Sequence, residues 1–226
     1  MTTALDLDGP RLAPASGQAP KQLVVLLHGV GADGDDLISL APYVAQVLPD
    51  AAFVSPHAPF PYDMAPFGRQ WFSLQDRALE TMLGGVRMAA PILDGFLDAE
   101  LEKAGLPPER MALVGFSQGT MMSLHVGPRR ETPLGAIVGF SGALLAPELL
   151  SGEIRSRPPV LLVHGAADEL VPAQALPVAV AALEANRVPV TQELRPGLGH
   201  SIDERGLQLA MAFLAEALTG APRASE

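Results

Sequence analysis

One segment decides the fold: it spans residues 111–126 and begins Met111-Ala-Leu-Val-Gly-Phe-Ser117-Gln-Gly119. The first four residues are apolar, as in a strand buried on both faces, and a helix fits residues 118–126. A serine between two glycines at a strand-to-helix junction takes a strained backbone conformation that lifts its hydroxyl clear of the sheet. The helix behind it offers free N–H groups to a developing oxyanion. The segment therefore predicts a nucleophile, Ser117.

Outside this segment, short apolar strands alternate with amphipathic helices, which is typical of an α/β fold with a mainly parallel central sheet and helices on both faces. We expect a single domain over residues 1–226, with no large cap domain and a frayed tail at 219–226. Residues 15–18 could turn a hairpin into the first long strand. Predicted strands are Leu23–Leu27, Ala51–Ser55, Met111–Gly115, Leu134–Phe140, Val160–Val163 and Val190–Leu194; predicted helices are 37–48, one ending near Ala104, Gln118–Val126, Ala173–Asn186 and Ile202–Leu218.

Composition excludes several classes of protein. The 226 residues are 48% hydrophobic and carry a net charge of -10, which argues against disorder and against binding to nucleic acid or to anionic membranes. No apolar run approaches the ~20 residues that cross a bilayer, and no secretory signal is visible at the start, so we expect a cytoplasmic protein without stable membrane anchoring. The absence of cysteine excludes a thiolate metal site and a cysteine nucleophile.

A serine needs a base and a group that orients the base. In this kind of fold they follow the serine in the order Asp/Glu and then His, each in a loop after a later strand. Asp168 follows the strand at 160–163 and His200 follows the strand at 190–194. Ser117, Asp168 and His200 are therefore the predicted catalytic residues.

Other residues of the same types compete for these roles. Glu169 is adjacent to Asp168 and is the alternative acid. His28, His57, His125 and His164 are alternative bases, although their positions in the chain fit loop or packing roles better. Ser141 ends another strand in Gly139-Phe-Ser-Gly142, but it lacks the second spaced glycine and the loops that would supply its partners.

The backbone N–H of Gln118 is the first candidate donor of an oxyanion hole, because it directly follows the nucleophile. The second should come from the glycine-containing loop at residues 28–33, where Val30 is the candidate; an ordinary tight turn is the alternative interpretation.

The segment 56–75 combines prolines with five aromatic residues, including the one tryptophan of the chain, and cannot be regular structure. We expect it to fold over the site, where Met64, Phe67, Trp71 and Phe72 would form an apolar wall for the acyl group, with Leu170 and Val171 opposite. Alternatively these side chains merely cover the edge of the sheet.

Four motifs occur in order: Leu27-His-Gly-Val-Gly-Ala-Asp33, Gly115-Phe-Ser-Gln-Gly119, His164-Gly-x-x-Asp-x-x-Val-Pro172 and Gly199-His200. Together they resemble the phospholipase/carboxylesterase family of α/β-hydrolases, which includes the acyl-protein thioesterases. The resemblance runs from about residue 20 to 218 and implies the α/β-hydrolase fold, the same catalytic triad, and oxyanion donors at Val30 and Gln118. The sequence departs from the family at Thr120, where many relatives have glycine, and at Val30, where leucine is common.

These observations predict a serine carboxylesterase that hydrolyses short- to medium-chain esters through an acyl-enzyme and needs no cofactor and no metal. The expected partner is a small-molecule ester substrate, and the sequence leaves open whether the chain forms a homodimer. An acyl-protein thioesterase or lysophospholipase with the same triad is the closest alternative. A non-catalytic ligand-binding relative is a remote alternative, because such proteins typically lose a triad residue.

Overall fold

A computed structural model describes residues 7–220 of the chain. Its main sheet has seven strands in the order β1-β3-β2-β6-β7-β8-β9, and β4 pairs with β5 in a separate hairpin. All neighbours in the main sheet are parallel except β1, which is antiparallel to β3. The strands are β1 Arg11–Leu12, β2 Gln22–Leu27, β3 Ala51–Val54, β4 Phe60–Pro61, β5 Arg69–Gln70, β6 Met111–Phe116, β7 Ala136–Phe140, β8 Val160–Gly165 and β9 Val190–Arg195.

Helices cover both faces of the sheet, as predicted. The α-helices are α1 Gly34–Leu37, α2 Ala41–Val44, α3 Leu79–Ala104, α4 Gln118–Val126, α5 Leu150–Glu153, α6 Ala175–Ala185 and α7 Glu204–Thr219. Side chains of α1, α2 and α7 pack on one face of the sheet, and those of α3, α4 and α6 pack on the other. Alternate residues of β2 point to opposite faces, so Val24 and Leu26 enter one core while Val25 and Leu27 enter the other. This two-sided burial explains the continuous apolar strands.

Three local predictions were wrong. The turn at residues 15–18 does not form a hairpin, because β1 pairs with β3 instead of β2. The helix expected over 37–48 is divided into α1, a 3-10 turn and α2, and Pro42 lies at the start of the last piece. The aromatic segment contains a short regular hairpin, in which Phe60 faces Gln70 and Pro61 faces Arg69.

Helix α3 runs without interruption through Gly84, Gly85 and Pro91, although each could have broken it. A Cβ on Gly85 would lie 2.6 Å from the Cβ of Phe72, so glycine at this position lets the aromatic segment pack directly on the helix. The helix ends at Gly105, whose φ of 66° is the left-handed conformation expected of a glycine C-cap.

Helix α7 continues through Thr219, where a frayed tail was expected, and ends at Gly220 with a φ of 73°. The remainder of that predicted tail, 221–226, lies outside the described residues. Over residues 7–220, no helix is both long and apolar enough to span a membrane.

Candidate active site

Ser117 lies between β6 and α4 with a φ of 52° and a ψ of -113°, a strained conformation for a residue with a side chain. The two glycines around it are required by close packing. A Cβ on Gly115 would lie 2.5 Å from the backbone nitrogen of Thr120, and one on Gly119 would lie 1.8 Å from the carbonyl oxygen of Leu27. The Gly-x-Ser-x-Gly pattern is therefore a steric requirement of this elbow.

Asp168 lies in the loop after β8, and its side chain is fully buried. Its Oδ1 accepts hydrogen bonds from the backbone N–H groups of Leu170 and Val171, both at 2.9 Å, and its Oδ2 lies 2.8 Å from Nδ1 of His200. Burial alone would raise the pKa of Asp168, but the hydrogen bonds from His200, Val171 and Leu170 outweigh it and lower that pKa. The carboxyl group is therefore ionised at neutral pH.

An ionised carboxylate can only accept a hydrogen bond, so Nδ1 of His200 carries the proton that it shares with Asp168. Nε2 of the neutral ring is then left as an acceptor, which is the state required of a base toward a hydroxyl. The His200 ring lies beside the elbow, because its centroid is 4.9 Å from that of Phe116, the residue before Ser117. Glu169, the alternative acid, is exposed.

His164 adds a further donor close to the same carboxylate. Its side chain is almost fully buried, and Nε2 lies 2.9 Å from the Val171 carbonyl oxygen and 3.4 Å from Oδ2 of Asp168. Val171 in turn donates its N–H to Oδ1 of Asp168. The histidine therefore helps to fix the acid loop and is not positioned as a second base.

The loop at residues 28–33 lies directly against the elbow. A Cβ on Gly29 would lie 3.1 Å from the Phe116 ring and 3.4 Å from the Cβ of Ser117. Among the described residues, none accepts a hydrogen bond from the N–H of Val30. Gln118 is the first residue of α4, where a backbone N–H has no acceptor within the helix. Both predicted oxyanion donors are therefore free.

The predicted apolar wall is corrected at two positions. Trp71 and Phe72 are 0% and 1% exposed and belong to the core beneath α3, so they present no surface to a substrate. Their hydrophobicity is used for packing in the core, neither as a substrate wall nor as a cover for the edge of the sheet. Met64 and Phe67 are 65% and 74% exposed.

Of the other two predicted wall residues, Leu170 is exposed and Val171 is half-buried. Both belong to the loop that carries Asp168, and both keep accessible surface. With Met64 and Phe67 they are the members of the predicted wall that stay open to a ligand.

The structure also shows two buried polar side chains whose roles sequence reasoning missed. Gln118 uses its side-chain amide to bind the backbone of residues 71 and 72, and His28 binds the backbone of Gly29 and Ala58. In the sequence, each of these is a polar residue inside an apolar motif. The motif does not reveal the hydrogen-bond partners, because they lie 30 or more residues away along the chain or in the adjoining loop.

One group of side chains has the composition of a metal site. Ligand atoms of Asp33, Asp35 and His57 lie within 4.8 Å of one another. However, Asp33 accepts the N–H of Asp35, and Nδ1 of His57 accepts the N–H of Gly34 at 3.1 Å. We assign Asp33 and His57 to capping the start of α1.

Comparison with known proteins agrees with this geometry. A family model described as phospholipase/carboxylesterase matches residues 13–218. The chain is similar to acyl-protein thioesterase 1 of Gibberella zeae, with 27% identity over 92% of this chain and 95% of the relative, and to esterase YpfH of Escherichia coli, with 29% identity over 86% and 82%. Among solved structures, esterase PE8 superposes with a TM-score of 0.90 and 45% identity, covering 94% of this chain and 100% of its own.

Proposed function

The chain belongs to the phospholipase/carboxylesterase family and is an ester-hydrolysing enzyme, and from this premise we propose that it is a serine carboxylesterase acting on short- to medium-chain esters. The observation that carries the proposal is the 2.8 Å contact between His200 and the buried Asp168, formed beside a serine with a positive φ. A strained serine alone is not a nucleophile, because it also needs a neutral, oriented imidazole.

In the proposed mechanism, Nε2 of His200 takes the proton of the Ser117 hydroxyl as its oxygen attacks the ester carbonyl. The imidazolium that forms is stabilised by Asp168, and the tetrahedral oxyanion is bound by the N–H groups of Val30 and Gln118. The C–O bond to the alcohol breaks, and His200 gives its proton to the departing alkoxide. Water then repeats both steps on the acyl-enzyme and releases the acid.

The acyl group is proposed to contact Met64, Phe67, Leu170 and Val171, which are the members of the predicted wall that keep accessible surface. Their exposure favours an open, shallow contact over a deep tunnel. This supports short- to medium-chain acyl groups, since each further methylene gains free energy only where it leaves water.

An acyl-protein thioesterase is the second candidate, because the relative from Gibberella zeae that covers 92% of this chain carries that name. The catalytic residues would be the same, and the leaving group would be a thiol in place of an alcohol. A lysophospholipase would likewise use the same triad.

The test is an initial-rate series on p-nitrophenyl esters from acetate to palmitate, with a thioester and a lysophospholipid as competing substrates. Wild type is compared with Ser117→Ala, and Ser141→Ala is the matched control, since Ser141 occupies the same place in a second Gly-Phe-Ser segment. We expect Ser117→Ala to lose at least about 1000-fold in turnover and Ser141→Ala to retain it.

A peak at short or medium chains supports the carboxylesterase. Faster turnover of the thioester or lysolipid would replace it with the second candidate. Equal turnover by wild type and Ser117→Ala would contradict the mechanism itself.

A further inference from the structure

The two proposed oxyanion donors belong to different elements of the structure. Val30 lies in the loop after β2, whereas Gln118 begins α4. An oxyanion hole is effective only when both N–H groups lie about 2.7–3.1 Å from one oxygen position, and a displacement of about 1 Å can cost 100-fold in rate. The relative position of these two donors therefore needs a structural cause.

His28 fixes the first donor. The ring is fully buried, and Nε2 accepts the N–H of Ala58 at 2.9 Å, so the proton is on Nδ1 and is donated to the Gly29 carbonyl oxygen at 2.7 Å. Burial lowers the pKa of His28 and so preserves this neutral form. The Gly29 carbonyl and the Val30 N–H belong to one trans peptide and point in opposite directions. Holding the carbonyl therefore sets the direction of the N–H.

Trp71 connects this loop with the other donor. Its indole N–H donates to the carbonyl oxygen of His28 at 3.0 Å, and its backbone N–H donates to Oε1 of Gln118 at 2.7 Å. The Gln118 amide also donates from Nε2 to the Phe72 carbonyl oxygen at 2.7 Å. Trp71 and Gln118 are 0% and 1% exposed, so water does not compete for these bonds.

We propose that His28, Trp71 and Gln118 form a buried bridge that holds the Val30 and Gln118 N–H groups at a fixed separation for the oxyanion. The proposal rests on the esterase mechanism above. It makes the Gln118 side chain and Trp71 positioning residues, which act through the backbone without touching the substrate. The one tryptophan of the chain thus supports the reaction from the core.

Two variants each break one part of the bridge and keep an apolar side chain in the core. Trp71→Phe deletes the indole N–H and keeps a large aromatic ring, and Gln118→Met deletes both amide contacts and keeps the length of the side chain and the backbone N–H. The control is Phe53→Leu, which loosens the core at a residue of β3 that is 1% exposed and takes no part in the bridge.

The decisive readout is the affinity of a trifluoromethyl ketone, whose hemiketal oxyanion occupies the same hole as the reaction intermediate. For each bridge variant we expect kcat to fall about 10- to 100-fold with KM within about threefold, and the inhibition constant to rise in proportion to the loss in kcat. Phe53→Leu should lower Tm without changing kcat or the inhibition constant more than about twofold.

Bridge variants that lose Tm yet keep kcat and inhibitor affinity would overturn the proposal, and so would a loss of kcat without loss of inhibitor affinity. Failure of the esterase mechanism is a separate result, because it is measured on Ser117→Ala with the bridge intact.

Discussion

The chain contains the tripeptide Gly-Phe-Ser twice, at the ends of the neighbouring strands β6 and β7. Both serines have a positive φ, 52° at Ser117 and 48° at Ser141. In both, the serine N–H donates to a carbonyl of the next strand, Ser117 to Phe140 and Ser141 to Val163, each at 2.9 Å. The strained turn is therefore produced by the parallel sheet and is not by itself a mark of catalysis.

The two segments differ in the structure that the chain adopts after each serine. Helix α4 begins directly after Ser117, whereas the chain after Ser141 is irregular, and the Ser141 hydroxyl is buried and has no hydrogen-bond partner in the described part of the protein. Ser117 is followed by a helix N-terminus, and the contact between Phe116 and His200 places an imidazole beside its elbow. We infer that a strained serine becomes a nucleophile through these additions.

The largest expected effect is selective labelling of one of the two serines. A fluorophosphonate reacts with a serine hydroxyl only where a base removes its proton, so we expect modification of Ser117 at a rate at least about 1000-fold above that of Ser141. Trypsin separates the two sites, because it cuts at Arg110, Arg129, Arg130 and Arg155. Fragmentation of the labelled peptide distinguishes Ser117 from Ser123.

Label on the peptide that carries Ser141 would break the comparison, since it would mean that the sheet geometry alone activates a serine. The variant Asp168→Asn tests the same difference at Ser117. This variant should slow labelling of Ser117 strongly, because the wrong imidazole tautomer no longer accepts the hydroxyl proton.

The sequence predicted the elements that determine this contrast. The parallel sheet, the bounds of α4 and the loops that carry Asp168 and His200 could all be predicted, because strand and helix periodicities are local and the nucleophile motif fixes its own steric surroundings. The pairing of Asp168 with His200, 32 residues apart, could be predicted from the rule that both loops lie at the carboxyl edge of the sheet.

The features that could not be predicted depend on contacts that the local sequence does not contain. Trp71 was expected on the surface of the pocket, because an aromatic residue in a proline-rich loop gives no sign of the helix that will cover it. Gly85 admits Phe72 against α3 and thereby buries this segment. The bonds from Gln118 to residues 71 and 72 likewise join positions that are 47 and 46 residues apart.

The next expected effect concerns packing between the two segments. A Cβ on Gly139 would lie 2.5 Å from Cγ2 of Thr120, in the first turn of α4, and 3.0 Å from Leu162. We expect Gly139→Ala to reduce the free energy of unfolding by about 2 to 3 kcal/mol through overpacking. Thr120→Ala removes the clashing methyl group and should recover at least about 1 kcal/mol in the double variant, measured by urea unfolding.

Thr120→Ala also deletes a hydroxyl that lies 2.8 Å from the Gly115 carbonyl oxygen and 2.9 Å from that of Phe140. The single variant Thr120→Ala should therefore lose about 1 kcal/mol in free energy of unfolding, and the double-mutant cycle corrects for this loss. Strict additivity of the two changes would show that Thr120 does not couple the segments, and the departure from glycine at this position would need another explanation.

The smallest expected effect concerns the C-terminal end of α4, the helix that follows Ser117 and has no counterpart directly after Ser141. His125 is 5% exposed, and its Nδ1 has no partner within the described residues. Burial first, and then the positive charge of Arg129 and more weakly that of Arg87, lower the pKa of His125 to about 4, while Glu153 acts in the opposite direction. The folded helix thus holds this imidazole neutral, whereas the unfolded chain protonates it near its ordinary value of 6.5.

Between pH 6.5 and about pH 4 the unfolded chain binds a proton that the folded chain does not, so the free energy of unfolding falls as pH is lowered through this window. The contribution is lost from about pH 6.5 downward and does not change further below about pH 4. Water that enters when the His125 ring protonates would reduce the shift of its pKa. We therefore expect the free energy of unfolding to change by about 1 to 2 kcal/mol. Urea unfolding of wild type and His125→Gln over this range isolates the contribution of His125, and ester hydrolysis at about pH 7.5 verifies that the variant is folded. If the pH-dependent stability curves of wild type and His125→Gln run parallel, the C-terminal end of α4 is packed loosely enough for His125 to titrate as in water. The close packing of α4 would then be confined to the first turn of the helix, where Gly119 and Thr120 make their close contacts.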